Sequence, residues 1–350
     1  MTLTRLFDIA LPIIQAPMAG VQGSALAIAV SNAGGLGSLP CAMLGEQALR
    51  DELGRIRSAT DKPYNVNFFC HTQPPENIER AARWVGALSS YYREFGLDPT
   101  GIAAGPGRLP FSAAAADLLD EFRPAVVSFH FGLPSMELVA RARAHGAKIV
   151  SSATTVEEAR WLEAQGVDAI IAQGCEAGGH RGMFLTDDLT TQLGTFALLR
   201  QVVRAVDVPV IAAGGIADAA GVAAAMALGA AGVQIGTAYM LCPESTTSAV
   251  HRAALAGAGA FHTALTNLFT GRPARGIVNR IMRELGPINV DDVPTFPMAT
   301  AAIAPLRAAA EQRGSGDFSP LWCGQNPTGC KPIPAAELTR ELMAHGPYAG

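Results

Sequence analysis

The chain has 350 residues, is 49% hydrophobic and carries a formal net charge of −4. This composition predicts a globular protein with a large core and excludes a fibrous or disordered chain. Its basic residues are scattered singly, so we expect a small-molecule ligand rather than nucleic acid or an anionic membrane. The six cysteines show no paired spacing, and we interpret them as reduced thiols of a cytoplasmic protein.

Short apolar runs alternate with longer helical segments up to residue 241. Apolar runs separated by helices are typical of parallel strands that are covered on both faces. A count of eight such runs predicts an α/β fold, a (β/α)8 TIM barrel, rather than an open doubly wound sheet. The predicted strands are 12–18, 35–39, 64–69, 125–129, 148–152, 169–173, 209–213 and 232–235, and the predicted helices include 24–32, 135–145, 156–165 and 217–228.

After residue 242 the alternation stops. Helical patterns remain around 246–255, 277–284, 297–312 and 335–345. We therefore predict a barrel domain, residues 1–242, followed by a mainly helical substrate cap, residues 243–350, whose last helix can pack back on the barrel. The connection between residues 69 and 125, with loops at 74–75 and 101–110, is expected to form part of a lid. Glycines interrupt the uncharged stretch 222–241, which favours a buried helix and strand over a membrane span.

A glycine-rich loop, residues 173–182, directly follows the sixth predicted strand. Glycine lets backbone amides approach a ligand closely. We predict that His180 in this loop is catalytic, either as a base that removes a proton from carbon or as an imidazolium that attracts an anion. Two alternatives stay open: His180 bonds only loop carbonyls, or it joins Cys175 and Glu176 around a metal. The spacing disfavours the metal, and none is predicted.

The loops after the seventh and eighth strands are predicted to bind a phosphate, as they often do in barrels. Small residues after the first strand allow a flat ring to lie against the main chain, and amides after the third and sixth strands can bond its edge. His130, at the end of the fourth strand, is predicted to contact substrate, although a satisfied core histidine is equally consistent. The predicted cofactor contacts are Ala16, Pro17, Met18, Asn67, Ser152, Gln173, Gly178, Gly179, Gly214, Gly215, Gln234, Gly236 and Thr237.

The ordered set of motifs resembles class I of the nitronate monooxygenase family, formerly called 2-nitropropane dioxygenases. The resemblance rests on QAPMAG at 15–20, SNAGGLG at 31–37, NVNFFCH at 65–71, SFHFG at 128–132, QGCEAGGHRG at 173–182, AGGI at 213–216, QIGT at 234–237 and LWCGQ at 321–325. It implies a barrel with one noncovalent FMN. It also implies a reaction of an anionic nitronate, of the propionate 3-nitronate type, with O2 to give a carbonyl compound and nitrite, in nitronate detoxification.

Carried over residue by residue, the resemblance implies that His180 is catalytic and that Asn67 and Gln173 are among the FMN contacts. The late helical segment departs from the family pattern, because Phe296, Ile303 and Arg307 stand where tyrosines and a lysine are often found. Arg307 is therefore expected to attract the anionic nitronate, and the particular nitronate stays open. A monomer or a homodimer is expected.

Two other functions stay open from the sequence. The first is an FMN-dependent NAD(P)H reductase of quinones or enoyl thioesters, since such barrels share the glycine loops and need no separate dinucleotide fingerprint. The second is a flavin-free barrel that binds a phosphorylated ligand.

Overall fold

The computed structural model describes residues 2–100, 102 and 107–344. Part of the predicted 101–110 loop and the last six residues of the predicted cap, including the end of the helix predicted at 335–345, lie outside the described residues.

Eight parallel strands form a barrel, which confirms the predicted (β/α)8 fold. The strands, in the barrel and outside it, are β1 Ile13–Gln15, β2 Gly37–Pro40, β3 Tyr64–Phe69, β4 Val126–His130, β5 Lys148–Ala153, β6 Ala169–Gln173, β7 Gly179–His180, β8 Val210–Ala213, β9 Gly232–Ile235, β10 Thr263–Thr266 and β11 Ala274–Ile277. The order in the barrel is β1-β9-β8-β6-β5-β4-β3-β2, and a bridge between Ile14 and Leu36 brings β1 and β2 together to close the ring.

The barrel strands are buried on both faces because helices cover the outside and side chains fill the inside. Strand β6, for example, is buried over its whole length, as expected for a parallel strand without polar alternation. Short polar side chains begin several helices: Thr155 Oγ1 accepts the amide of Glu158 at the start of helix α7, Val156–Ala164, which satisfies a free donor of the first turn. The α-helices are α1 Leu3–Phe7, α2 Ser24–Asn32, α3 Glu46–Ala59, α4 Ile78–Phe95, α5 Ala113–Phe122, α6 Met136–Arg143, α7 Val156–Ala164, α8 Thr195–Val203, α9 Ala219–Ala227, α10 Ala249–Ala256, α11 Arg280–Glu284, α12 Thr300–Gln312 and α13 Ala335–Leu342.

A second layer of structure covers the C-terminal end of the barrel. It holds α10 to α12, but it also contains a three-stranded antiparallel sheet in the order β10-β11-β7, which the sequence did not predict. Its hydrophobic core includes α4 from the long connection after β3. Trp84 Nε1 donates to the carbonyl of Ala299 at 3.2 Å, and the Tyr92 hydroxyl donates to that of Ala302 at 2.6 Å. The connection after β3 is therefore built into this layer.

The last described helix, α13, returns to the barrel. Leu338 and Leu342 are buried in the cluster that surrounds the barrel strands, and Thr339 Oγ1 lies 2.9 Å from the Tyr239 hydroxyl. We retain as a proposal the division into a barrel domain, residues 1–242, and a cap, residues 243–350. The six cysteines are free thiols. Among the described helices, none combines the length and apolar character needed to cross a membrane.

Candidate active site

A large cavity lies at the C-terminal ends of the barrel strands, where barrel enzymes hold their ligands. The cavity and the open space at its mouth together take up about 1330 Å³. Of the sequence-predicted site residues, those that line the cavity are Ala16, Pro17, Met18, Asn67, His130, Ser152, Gln173, Gly178, Gly179, His180, Gly214, Gly215, Gln234, Gly236 and Thr237.

His180 is fixed within the small sheet of the second layer. In β7 it pairs with Ala274 of β11, and the amide of the following residue, Arg181, donates to the carbonyl of Pro273 at 2.9 Å. The carboxamide of Gln173 reaches across the loop. Its Nε2 donates to the His180 carbonyl at 2.9 Å and its Oε1 accepts the Gly182 amide at 2.7 Å. Gln173 was predicted to bond the edge of a ring, but its carboxamide is used within the loop.

The His180 imidazole lies among aromatic side chains on the cavity wall. Its ring centroid is 5.3 Å from that of Phe296 and 5.6 Å from that of Trp322. Its Nε2 lies 3.0 Å from Thr270 Oγ1. Nδ1 has no hydrogen-bond partner among the described residues, and it carries the lone pair in the tautomer whose Nε2–H donates to this hydroxyl.

Burial holds the pKa of His180 well below its ordinary value, and the positive charges of Arg108 and Arg272 lower it further. The imidazole is therefore neutral near pH 7. Of the two roles predicted for it, this state suits a proton acceptor rather than a fixed cation.

His130 supports His180. Its Nε2 donates to the His180 carbonyl at 3.2 Å, and its Nδ1 lies 3.1 Å from Ser152 Oγ. Burial lowers the pKa of His130 to about 4, so this ring is also neutral. His130 lines the cavity as predicted, but both of its ring nitrogens already have protein partners, which is the satisfied histidine that the sequence left open.

Arg181 is a buried residue that sequence reasoning missed. Its side chain is 0% exposed. The guanidinium donates to the carbonyls of Gln173 and Gly174, each at 2.7 Å, and to Gln192 Oε1 at 2.9 Å. It therefore ties the end of β6 to the loop that carries His180. A charged residue beside a glycine-rich turn gives no sequence signal for such a role.

The glycine loops leave room and donors for an anion. A Cβ on Gly178 would lie 2.6 Å from the Gly324 amide nitrogen, so only glycine fits there. Gly215 has φ +72°, a backbone conformation that glycine adopts without strain. Within the described part of the chain, no acceptor takes the amides of Gly215, Gly236 and Thr237. These amides are the candidate donors to a phosphate.

Two carboxamides keep hydrogen-bonding capacity on the cavity wall. Asn67 Nδ2 donates to Ser128 Oγ at 2.9 Å, while Asn67 Oδ1 has no partner among the described residues. Gln234 Oε1 is buried and likewise lacks a partner there. A buried unpaired amide oxygen such as Gln234 Oε1 is costly, and because both residues line the cavity, both atoms are candidate contacts for the polar edge of a ligand.

The structure corrects the predicted position of Arg307. That side chain pairs with Glu311 at 2.8 Å and is 45% exposed, and it is absent from the described residues that line the cavity. Among the described residues that line the cavity, the basic side chain is that of Arg108, which lies between α4 and α5 in the long connection after β3. Trp322 and Gly324 also line the cavity; they lie within a motif that carried the resemblance, although they were not predicted as site residues.

Comparison with known proteins agrees with this geometry. The family model for nitronate monooxygenase matches residues 1–345. A nitronate monooxygenase of Pseudomonas aeruginosa is 44% identical over 348 residues, covering 97% of each chain. The solved structure of a nitroalkane oxidase from Streptomyces ansochromogenes is 39% identical, has a TM-score of 0.87 and covers 98% of this chain and 96% of its own. FabK from Thermotoga maritima is 27% identical, with a TM-score of 0.71 and coverage of 98% and 95%. The chain therefore belongs to the nitronate monooxygenase family.

Proposed function

We propose that this protein is an FMN-dependent oxidoreductase that oxidises alkyl nitronates with O2 to a carbonyl compound and nitrite, and so removes a reactive nitronate. The observation that carries the proposal is the neutral imidazole of His180. Its Nδ1 and the amides of the glycine loops lie around one cavity and have no partner among residues 2–100, 102 and 107–344. In a member of this family, such a site would supply both a proton acceptor and backbone donors for a phosphate.

The cavity residues fit FMN. The free amides of Gly215, Gly236 and Thr237 would hold its phosphate. Asn67 Oδ1 and Gln234 Oε1 would accept hydrogen bonds from its ring N–H or from the hydroxyls of its ribityl chain. When bound, FMN supplies the electron acceptor and the reaction with oxygen, while the protein supplies orientation and electrostatics.

The chain's own residues prepare the substrate. For a neutral nitroalkane, His180 Nδ1 accepts the proton from the carbon beside the nitro group and generates the nitronate in place. For a nitronate supplied as the anion, the positive charges of Arg108 and Arg272 favour its binding beside His180. The side chains of Phe296 and Trp322 cover the imidazole, which limits its contact with water.

Anaerobic mixing tests the proposed reaction. FMN-loaded protein is mixed with propionate 3-nitronate and separately with NADPH, and the flavin absorbance is followed. We expect bleaching by the nitronate, and nitrite release once O2 is admitted. Rapid bleaching by NADPH with none by nitronates would favour the reductase instead. Protein that stays colourless after incubation with FMN would favour the flavin-free alternative.

His180→Asn tests the proton acceptor. Asparagine retains a donor for Thr270 but removes the basic nitrogen, so FMN content should be unchanged. The kcat/KM for a neutral nitroalkane should fall at least about 100-fold, since a positioned base contributes about 10²–10⁴-fold. His262→Asn is the control, because His262 is exposed and lies outside the cavity lining. An unaltered kcat/KM of His180→Asn for the neutral nitroalkane would refute the assignment.

A further inference from the structure

Thr270 is a buried threonine that contacts the His180 imidazole without lining the cavity. Its Oγ1 lies 3.0 Å from His180 Nε2, and the residue is 1% exposed. Thr270 is absent from the described residues around the cavity, whereas His180 is one of them. A ligand in the cavity therefore meets the imidazole and not this hydroxyl, so an effect of Thr270 on the reaction has to pass through His180.

The connection between β10 and β11, which carries Thr270, is fixed at several points. Asn267 Nδ2 donates to the Asn289 carbonyl at 2.8 Å, and the Asn289 amide donates back to Asn267 Oδ1 at 3.0 Å. Gly271 has φ +90°, and a Cβ on it would lie 2.1 Å from the carbonyl oxygen of Pro294. The backbone on both sides of Thr270 is thus held in place, and the hydroxyl has a defined position beside the imidazole.

The contact at Nε2 favours one orientation of the His180 ring. The backbone of His180 is fixed by its pairing with Ala274, which leaves rotation about the Cβ–Cγ bond. A half-turn about that bond would place Cε1–H, instead of Nε2, at Thr270 Oγ1. A C–H group is a much weaker hydrogen-bond donor than N–H, so the hydroxyl stabilises the orientation that is observed.

The same hydroxyl influences which ring nitrogen carries the hydrogen. Within the described residues it reaches one other acceptor, the Arg272 carbonyl at 3.4 Å, and no other donor to that carbonyl is found there. When the hydroxyl proton points to this carbonyl, Oγ1 accepts from Nε2–H and the lone pair lies on Nδ1. In the other tautomer Nε2 accepts from the hydroxyl, and Nδ1 carries a hydrogen and is unable to accept a proton.

We propose that Thr270 is a positioning residue that keeps the hydrogen of His180 on Nε2 and so makes Nδ1 the base for a neutral nitroalkane. When Nδ1 takes the proton from carbon, the electron pair of the C–H bond stays on the substrate as the nitronate, and the imidazole becomes a cation. The hydrogen bond from Nε2–H to Thr270 Oγ1 strengthens in this step because its donor becomes charged. A nitronate supplied as the anion has already lost the proton and needs no base. The inference rests on the proposed function for its substrate class.

Thr270→Val tests this role because it removes the hydroxyl and retains a similar volume. The kcat/KM for 1-nitropropane should fall about 10- to 100-fold, the effect of losing a hydrogen bond to a charged group, and that for propyl-1-nitronate less than about 3-fold. Thr270→Ser should recover most of the nitroalkane activity. Thr339→Val is the matched control, since Thr339 is also fully buried, donates to the Ala335 carbonyl at 2.7 Å and lies outside the cavity lining. Equal losses for both substrates in Thr270→Val would overturn the proposal.

A spectroscopic measurement separates failure of this inference from failure of the proposed function. Nitrogen NMR of isotope-labelled, FMN-loaded protein reports the protonation of each ring nitrogen, and the His180 signals are those missing from His180→Asn. We expect a protonated Nε2 and an unprotonated Nδ1 in wild type and Thr270→Ser, and loss of this preference in Thr270→Val. That result supports the inference even if no nitroalkane is turned over, which would refute only the proposed function. A protonated Nδ1 in wild type, or an unchanged tautomer in Thr270→Val, would overturn the role of Thr270.

Discussion

Replacing Arg181 by methionine should loosen the loop that carries His180. The guanidinium is fully buried and makes three hydrogen bonds of 2.7–2.9 Å to Gln173, Gly174 and Gln192. Methionine fills a similar volume but removes the donor to the buried Gln173 carbonyl and to Oε1 of the half-buried Gln192, while the Gly174 carbonyl still accepts the Ala177 amide at 3.1 Å. A buried acceptor left unpaired costs about 1–3 kcal/mol. We therefore expect the free energy of unfolding to fall by about 2–4 kcal/mol.

Urea unfolding of the cofactor-free protein measures this loss, and kcat/KM measures its effect on the neighbouring His180. Arg181→Lys retains a charge but can reach fewer acceptors, so its stability should be intermediate. Arg204→Met is the control at an exposed arginine, where the free energy of unfolding should change by less than about 0.5 kcal/mol. If Arg181→Met costs less than about 1 kcal/mol and leaves kcat/KM unchanged, the guanidinium does not hold this loop.

Three further predictions concern packing, pH and the cofactor. A Cβ on Gly182 would lie 2.8 Å from His130 Cε1, while one on Gly86 of α4 would meet nothing within 4 Å. In urea unfolding, Gly182→Ala should therefore be destabilised by about 1–3 kcal/mol and Gly86→Ala stabilised by about 0.4–1 kcal/mol; equal effects of the two substitutions would contradict this. Burial lowers the pKa of His251 to about 4, so the unfolded chain binds more protons than the folded one between about pH 4 and 6.5, and stability decreases as the pH is lowered through this range. Between pH 7.5 and 5, His251→Gln should therefore lose about 2 kcal/mol less free energy of unfolding than the wild type, and an unaltered pH profile would count against this. Gln234→Leu removes a buried unpaired oxygen, so the cofactor-free variant should be no less stable than the cofactor-free wild type. Fluorescence titration should show that the variant binds FMN about 10-fold more weakly, and an unchanged FMN affinity would exclude a contact between Gln234 and FMN.

The barrel and the cavity could be predicted because their signals are local. Each barrel strand is an apolar run, and glycines such as Gly178 and Gly215 follow strand ends directly, where a parallel barrel gathers its loops. The small sheet could not be predicted in this way. Strand β7 has two residues, and it exists only because β11, more than ninety positions later, pairs with it.

Two features of the second layer follow the helical periodicity of the sequence. In α4, Trp84, Leu88 and Tyr91 repeat at i, i+4 and i+7 and are buried together, as an amphipathic helix predicts. In α12, Arg307 has Glu311 four residues on, the spacing of an ion pair on a helix surface. Arg108 has no such signal, because its place on the cavity wall depends on the packing of Thr300 and Phe296 beside it.

The structure gives Gln173 and His130 a role that residue type and position do not predict. Both line the cavity, and both donate to the carbonyl of His180, at 2.9 and 3.2 Å. A carbonyl oxygen has two lone pairs, so these two donors use its full capacity and fix the peptide plane from two barrel strands, β4 and β6. The side chain of His180 is held separately, through the contact between its Nε2 and Thr270 Oγ1. His180 is thus anchored at backbone and at Nε2, and Nδ1 is the ring nitrogen left to react.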